Sequence, residues 1–274
     1  MADVDEVEDP LADHGRRDPA RRVFLKIDLS SVDVAPSADG PVSSARALVS
    51  DRFGDARSAI LGGSVVTGQA TAASDLDIVV IGDYPDAPFR ASLTYAAWPV
   101  EVFVHTEATI HGFWARERLR PALAMMCARG LVVMDEDGSA ARMQAEARAH
   151  LDAGPPALPA ADHDRLRYGL TDSLDDFLAD PGTEELPFVV AALTRDLCEI
   201  AMENRRAFRG TGKWMYRMAQ EADSAFASEL SAALDAVNAG DRQRLAALAR
   251  AELDAAGGSL FDGYRADGRP LLAQ

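Results

Sequence analysis

The stretch DLDIVVI, residues 75–81, constrains the fold more than any other part of the chain. Its β-branched content marks a strand, and successive residues of a strand project to opposite faces. One face carries Asp75, Asp77, Val79 and Ile81, the other Leu76, Ile78 and Val80, so both are apolar beyond the aspartates. Such a strand must be covered on both sides, inside a layered structure. Two carboxylates projecting together from the mouth of a buried strand repel each other and are costly unless a cation joins them.

The neighbouring segments supply the rest of a sheet. A strand is predicted over 21–30, a short buried one at SAIL (58–61), a hairpin over 91–106 whose second arm alternates, and a last strand at LVVMD (131–135). Helices are predicted over 41–54, over 106–129 with a break before Pro121, and over 138–151. DAGPPALPA (152–160) is the joint, with three prolines and a glycine, and no strand is predicted beyond it. Helical spacing then recurs over 161–180, 187–207, 212–222, 224–238 and 241–256, as in Leu193, Leu197 and Ile200 on one face. The expected fold is α+β: a small mixed sheet with flanking helices over 21–152, then a C-terminal helical bundle domain over 153–274. Residues 1–20, acidic and without apolar periodicity, are expected to be a disordered tail.

Composition narrows the class. The chain is 48% apolar and 26% charged, has no run of about 18 apolar residues, and opens on the acidic MADVDEVEDP rather than a basic and apolar leader, so a cytoplasmic globular protein without a membrane span is expected. The net charge of −16 weighs against stable nucleic-acid binding, which draws on Lys and Arg contacts to phosphate. It suits a cationic ligand, and equally it keeps a protein soluble. Cys127 and Cys198 are expected to be buried small hydrophobes, and the five histidines lack zinc-ligand spacing.

Gly63 and Gly68 have the spacing of a Walker loop, but Gln69 and Ala70 stand where Lys and Ser/Thr are needed. A nucleophile elbow fails as well, because Val66 replaces the second glycine after Ser64. A metal site fits better. In WPVEVFVH, Glu101 interrupts an apolar strand on the face opposite Val100, Val102 and Val104. It either faces solvent at a sheet edge or joins the aspartates, and the unpartnered pair upstream favours the second. Asp75, Asp77 and Glu101 would form an all-oxygen donor set suited to Mg2+ held by carboxylates and substrate phosphates.

These residues resemble the nucleotidyltransferase superfamily related to DNA polymerase beta: a Gly-Ser after a first strand (Gly63, Ser64), a short helix, Asp-x-Asp on a second strand (Asp75, Asp77) and a later acid (Glu101). The resemblance covers roughly 45–140. It implies ATP as donor, two Mg2+ ions held by Asp75, Asp77 and Glu101, outer phosphates held near Gly63 and Ser64, and Glu101 as metal ligand, general base or both. With a single helical domain following, the chain is similar to the bacterial aminoglycoside and lincosamide nucleotidyltransferases. That likeness implies a small hydroxylated acceptor, and a phosphate-binding lysine after a short loop, matched in position by Lys213, with Arg205, Arg206 and Arg209 beside it. Asp172, Asp176 and Asp180, spaced four apart, are candidates for holding a cationic acceptor, while Trp98, Trp114, Trp214 and Tyr216 are candidates for stacking or core. Other readings are a nucleotidyltransferase that modifies a macromolecule such as tRNA or a protein, and a nucleotide-binding module without turnover.

Overall fold

The computed structural model describes residues 27–31 and 40–267. The expected N-terminal tail lies outside them. So does most of the strand expected over 21–30, and residues 27–31 carry no regular structure.

The architecture is α+β. Five strands, β1 (Ser58–Gly62), β2 (Leu76–Ile81), β3 (Phe89–Tyr95), β4 (Trp98–His105) and β5 (Leu131–Asp135), form one mixed sheet in the order β3-β4-β2-β1-β5. Only β2 and β4 run parallel; the other neighbours are antiparallel. The chain leaves β2, crosses to the sheet edge as β3, and returns through a two-residue turn as β4 beside β2. Ala96 and Ala97 make that turn with φ of 48° and 62°. Positive φ at both central residues matches the right-handed twist of a hairpin, at some cost for residues that carry a Cβ.

Both sheet faces are covered, as the apolar pattern of residues 76–81 requires. On one side Leu61, Leu76, Ile78, Val80, Val100, Val102 and Val104 pack with Leu48, Val49 and Phe53 at α1 (Pro41–Arg52). On the other, Ile60, Val79 and Ile81 pack with Ile110, Trp114, Leu123, Cys127 and Met143, from α2 (Glu107–Arg116), α3 (Ala122–Arg129) and α4 (Ser139–Asp152). Pro121 separates α2 from α3, since proline cannot continue a helix interior. Thr106 caps α2 directly after β4, accepting from the Thr109 N–H at 3.1 Å while Thr109 Oγ1 accepts from the Thr106 N–H at 2.9 Å.

Beyond the Pro-rich joint the described residues form α5 (Ala160–Leu178), α6 (Leu186–Asn204), α7 (Lys213–Ala222), α8 (Ser224–Asn238) and α9 (Gln243–Ala255), with no strand. Their core, centred on Leu170, Phe177, Leu193, Leu197, Phe226 and Leu253, is separate from the two sheet cores. No described helix is long and apolar enough to cross a membrane. Cys127 and Cys198 are buried and unpaired, and burial pushes both thiols up to about 12, which leaves them inert.

The helical part meets the sheet part through polar contacts. The Arg209 N–H donates to the Leu119 carbonyl at 2.8 Å, Arg120 pairs with Glu199, and Arg129 Nη1 reaches Glu221 at 2.9 Å. Arg209 itself is 95% buried. Its guanidinium bridges Glu199 (2.9 Å) and Glu203 (2.8 Å), fixing the loop that leads into α7.

Candidate active site

Three carboxylates converge where β2 and β4 begin and β1 ends. Residues 77 and 101 are direct partners across the parallel pair, and residue 77 is also opposite Gly62 on β1. Asp77 and Glu101 therefore leave the same face of the sheet, the face of Val79 and Phe103. Asp75 lies one residue before β2, not within it as the pattern predicted, yet its carboxylate joins the other two. One oxygen from each of the three lies within 4.8 Å of the others. It is the one such group of three His, Cys, Asp or Glu side chains among the described residues.

The cluster is electrostatically strained. Burial first, then the charges of Asp75 and Glu101, push the Asp77 carboxyl up to about 6, with Arg90 and Lys213 acting in the opposite direction. A hard divalent cation would relieve both causes, and the donors are all oxygen, so the residues present fit Mg2+. Gly63 makes the arrangement possible. It has φ of 75°, and a Cβ there would stand 2.2 Å from Asp77 Oδ2. Ser64 is buried with its Oγ 2.8 Å from Ser74 Oγ, which in turn accepts from the Thr71 N–H at 2.8 Å. The residues between β1 and β2 form turns where the resemblance implied a short helix.

Asp77 and Glu101 stand in the wall of a cleft of about 620 Å³ between the two parts of the chain. Its other walls include Gly63, Thr67, Arg90, Phe113, Glu117, Met126, Arg209 and Trp214. His105, buried in the same wall, has its ring edge-on to Phe113 at 4.8 Å and its Nδ1 3.3 Å from Thr109 Oγ1. Burial, and secondarily the charge of Arg116, holds this imidazole down to about 4 against an ordinary 6.5. A histidine whose folded value is depressed leaves the unfolded chain binding more protons between those values, so stability is lost as pH falls from 6.5 toward 4. Urea unfolding should show wild type losing about 1–2 kcal/mol more than His105→Gln between pH 7 and pH 5. Parallel losses in the two proteins would contradict the assignment.

The remaining sequence expectations divide. Lys213 opens α7, exposed, near enough for its charge to act on Asp77. Trp214 lines the cleft, whereas Trp114 is buried core. Asp172 and Asp176 are exposed on α5 and are not among the cleft-lining residues. Asp180 has left that helix, with φ of 59°, and pairs with Arg242 at 2.6 Å, so the expected three-residue stripe does not form. Arg205 is held by Asp223 at 2.9 Å and Glu252 at 2.8 Å, and Arg209 by Glu199 and Glu203, leaving Arg206 of the three without an ion pair among the described residues. Glu199 pairs with Arg120 and Arg209, and Arg195 pairs with Asp196. The sequence did not single out Arg90 or Glu117. Arg90 pairs with Glu101 and lies over the Phe103 ring at 5.0 Å. Alternation along β3 was the available signal, but without the strand register it has no target.

Residues 42–109 match the family model described as a nucleotidyltransferase domain, which supports nucleotidyl transfer in general terms. No curated protein matches the chain. Among solved structures, a nucleotidyltransferase-like protein from Exiguobacterium sibiricum 255-15 is similar, at 11% identity, with 80% of this chain and 77% of that one covered and a TM-score of 0.41.

Proposed function

We propose that this chain, with a nucleotidyltransferase domain matched at residues 42–109, is a Mg2+-dependent enzyme that transfers AMP from ATP to a hydroxyl of a small cationic acceptor of the aminoglycoside kind. Residues 21–152 would be the transfer domain and 153–274 a helical domain that completes the cleft. The observation that carries this reading is the convergence of Asp75, Asp77 and Glu101, two of which, Asp77 and Glu101, line the cleft, with the Asp77 carboxyl pushed up to about 6.

In the proposed reaction the acceptor oxygen bonds to the α-phosphorus as the bond to the bridging oxygen of pyrophosphate breaks in line. Magnesium, when bound, would neutralise charge on the attacking and leaving oxygens. Asp75 and Asp77 would hold it, and Glu101 would complete the donor set and take the acceptor's proton. Gly63 keeps the backbone clear of Asp77, and Ser64, tied to Ser74, shapes the turn on which the outer phosphates rest. Lys213, at the N-terminus of α7, adds a point charge for those phosphates. Glu117 supports a cationic acceptor: it lines the cleft without an ion pair among the described residues, one oxygen accepting from the Leu123 N–H at 3.0 Å.

The test is mass spectrometry of an aminoglycoside and lincosamide panel after incubation with ATP and Mg2+. A gain of one AMP on an acceptor, absent with Asp77→Ala, is the expected result; no gain on any member overturns the antibiotic-like acceptor. Lys213→Ala should raise the KM for ATP about tenfold or more, the worth of one charge-assisted contact, with little change in the KM for the acceptor. An unchanged KM for ATP would remove Lys213 from the donor site.

A further inference from the structure

Arg90 forms an ion pair with one of the three clustered carboxylates. Its residue position on β3 is opposite Phe103, and Glu101 is opposite Ser92, so Arg90 reaches Glu101 along the diagonal of an antiparallel pair. The guanidinium is ion-paired to Glu101 Oε1 and at the same time lies over the Phe103 ring, 5.0 Å from its centre. The ring gives the side chain an anchor that does not depend on the carboxylate.

Among the cations lining the cleft, Arg90 differs in its partner. Arg120 pairs with Glu199, Arg129 with Glu221, and Arg209 with Glu199 and Glu203, all carboxylates outside the cluster. Arg90 pairs with a cluster member, and its side chain is 58% exposed against 25% for Glu101. An ion pair that open to water is weakly held, so it exchanges at little cost. A planar guanidinium that lets go of a carboxylate is suited to a phosphate with the same fork.

We infer that Arg90 is an exchangeable counter-ion: it neutralises Glu101 until a divalent cation enters the cluster, then turns its fork to the phosphates of the incoming nucleotide. The inference rests on reading the cluster as a metal site. It requires one substitution to act in opposite directions on two ligands, which a purely structural arginine would not do.

Mn2+ binding to the full chain, followed by electron paramagnetic resonance without nucleotide, should be about three- to fivefold tighter in Arg90→Gln, because a competitor for Glu101 is gone. Binding of a non-hydrolysable ATP analogue at saturating Mn2+, followed by calorimetry, should be about tenfold weaker in the same variant, with Arg90→Lys between it and wild type. Unchanged or weaker Mn2+ binding by a folded Arg90→Gln, or unchanged analogue binding, overturns the exchange. Asp77→Asn keeps the two readings apart. If it weakens Mn2+ binding while Arg90→Gln does not strengthen it, the exchange alone falls. If Asp77→Asn binds Mn2+ as wild type does, the metal site falls and the exchange with it.

Discussion

Asp77→Asn should lower transfer by about 10³-fold or more, the equivalent of roughly 4 kcal/mol of transition-state stabilisation, and should at the same time make the metal-free protein more stable. Both effects come from one cause. Burial and the neighbouring charges raise this carboxyl to about 6 from an ordinary 3.8, so the folded protein resists its ionisation. For an acid raised in the folded state, the penalty is absent below the unfolded value and grows as pH rises between the two, reaching its full size above the folded value. The whole shift corresponds to about 3 kcal/mol, and solvent at the cleft wall should screen it to about 1–2 kcal/mol at pH 7. Asparagine keeps the shape and removes the charge. With a chelator present, thermal or urea unfolding should therefore rank Asp77→Asn above wild type at pH 7, with the gap closing by pH 4. Adding Mg2+ should stabilise wild type and leave the variant unmoved, since a ligand that binds only the folded state shifts the unfolding equilibrium. Equal responses to Mg2+ in the two proteins would remove Asp77 from the metal site.

The contrast between the acids the sequence brings together and those it misplaces has a physical basis. Asp77 and Val79, or Glu101 and Phe103, share a face because a strand alternates with a period of two, and that relation is visible in a bare sequence. Which strands are neighbours is not visible: the parallel pairing that sets residue 77 against residue 101 routes the chain through β3 at the sheet edge. Arg90 was missed for the same reason, since its approach to Glu101 depends on the register of β3 against β4. The helical stripe failed differently. Spacing by four says that Asp172 and Asp176 share a face of α5, but not what that face meets, and Asp180 lies beyond the helix end at Leu178. That Arg205 is held in ion pairs is not legible beside Lys213, because its partner Glu252 lies far along the chain. The helix and strand boundaries fared better, because Pro121, the Pro-rich joint at 152–160 and the apolar periods are local signals.

Gly63→Ala tests whether the acidic cluster depends on a bare backbone beside it. Position 63 has φ of 75°, where an L side chain is strained by about 1 kcal/mol, and the added methyl would stand 2.2 Å from Asp77 Oδ2. The carboxylate or the turn must shift, and a displacement of about 1 Å at a reacting centre can cost about 10²-fold in rate. The expected result is a loss of activity of that order together with about 1–3 kcal/mol of stability. Gly68 supplies the control within the same segment. Its φ is 72°, nearly the same, but among the described residues a Cβ there meets nothing within 4 Å. Gly68→Ala should therefore show the backbone strain without the displaced carboxylate: a similar small loss in unfolding free energy, and transfer close to wild type. Mn2+ affinity separates the two causes further, falling in Gly63→Ala and holding in Gly68→Ala. If both variants lose activity equally, the strained turn and not the room beside Asp77 is what the site requires, and the close approach of the carboxylate to residue 63 carries no function.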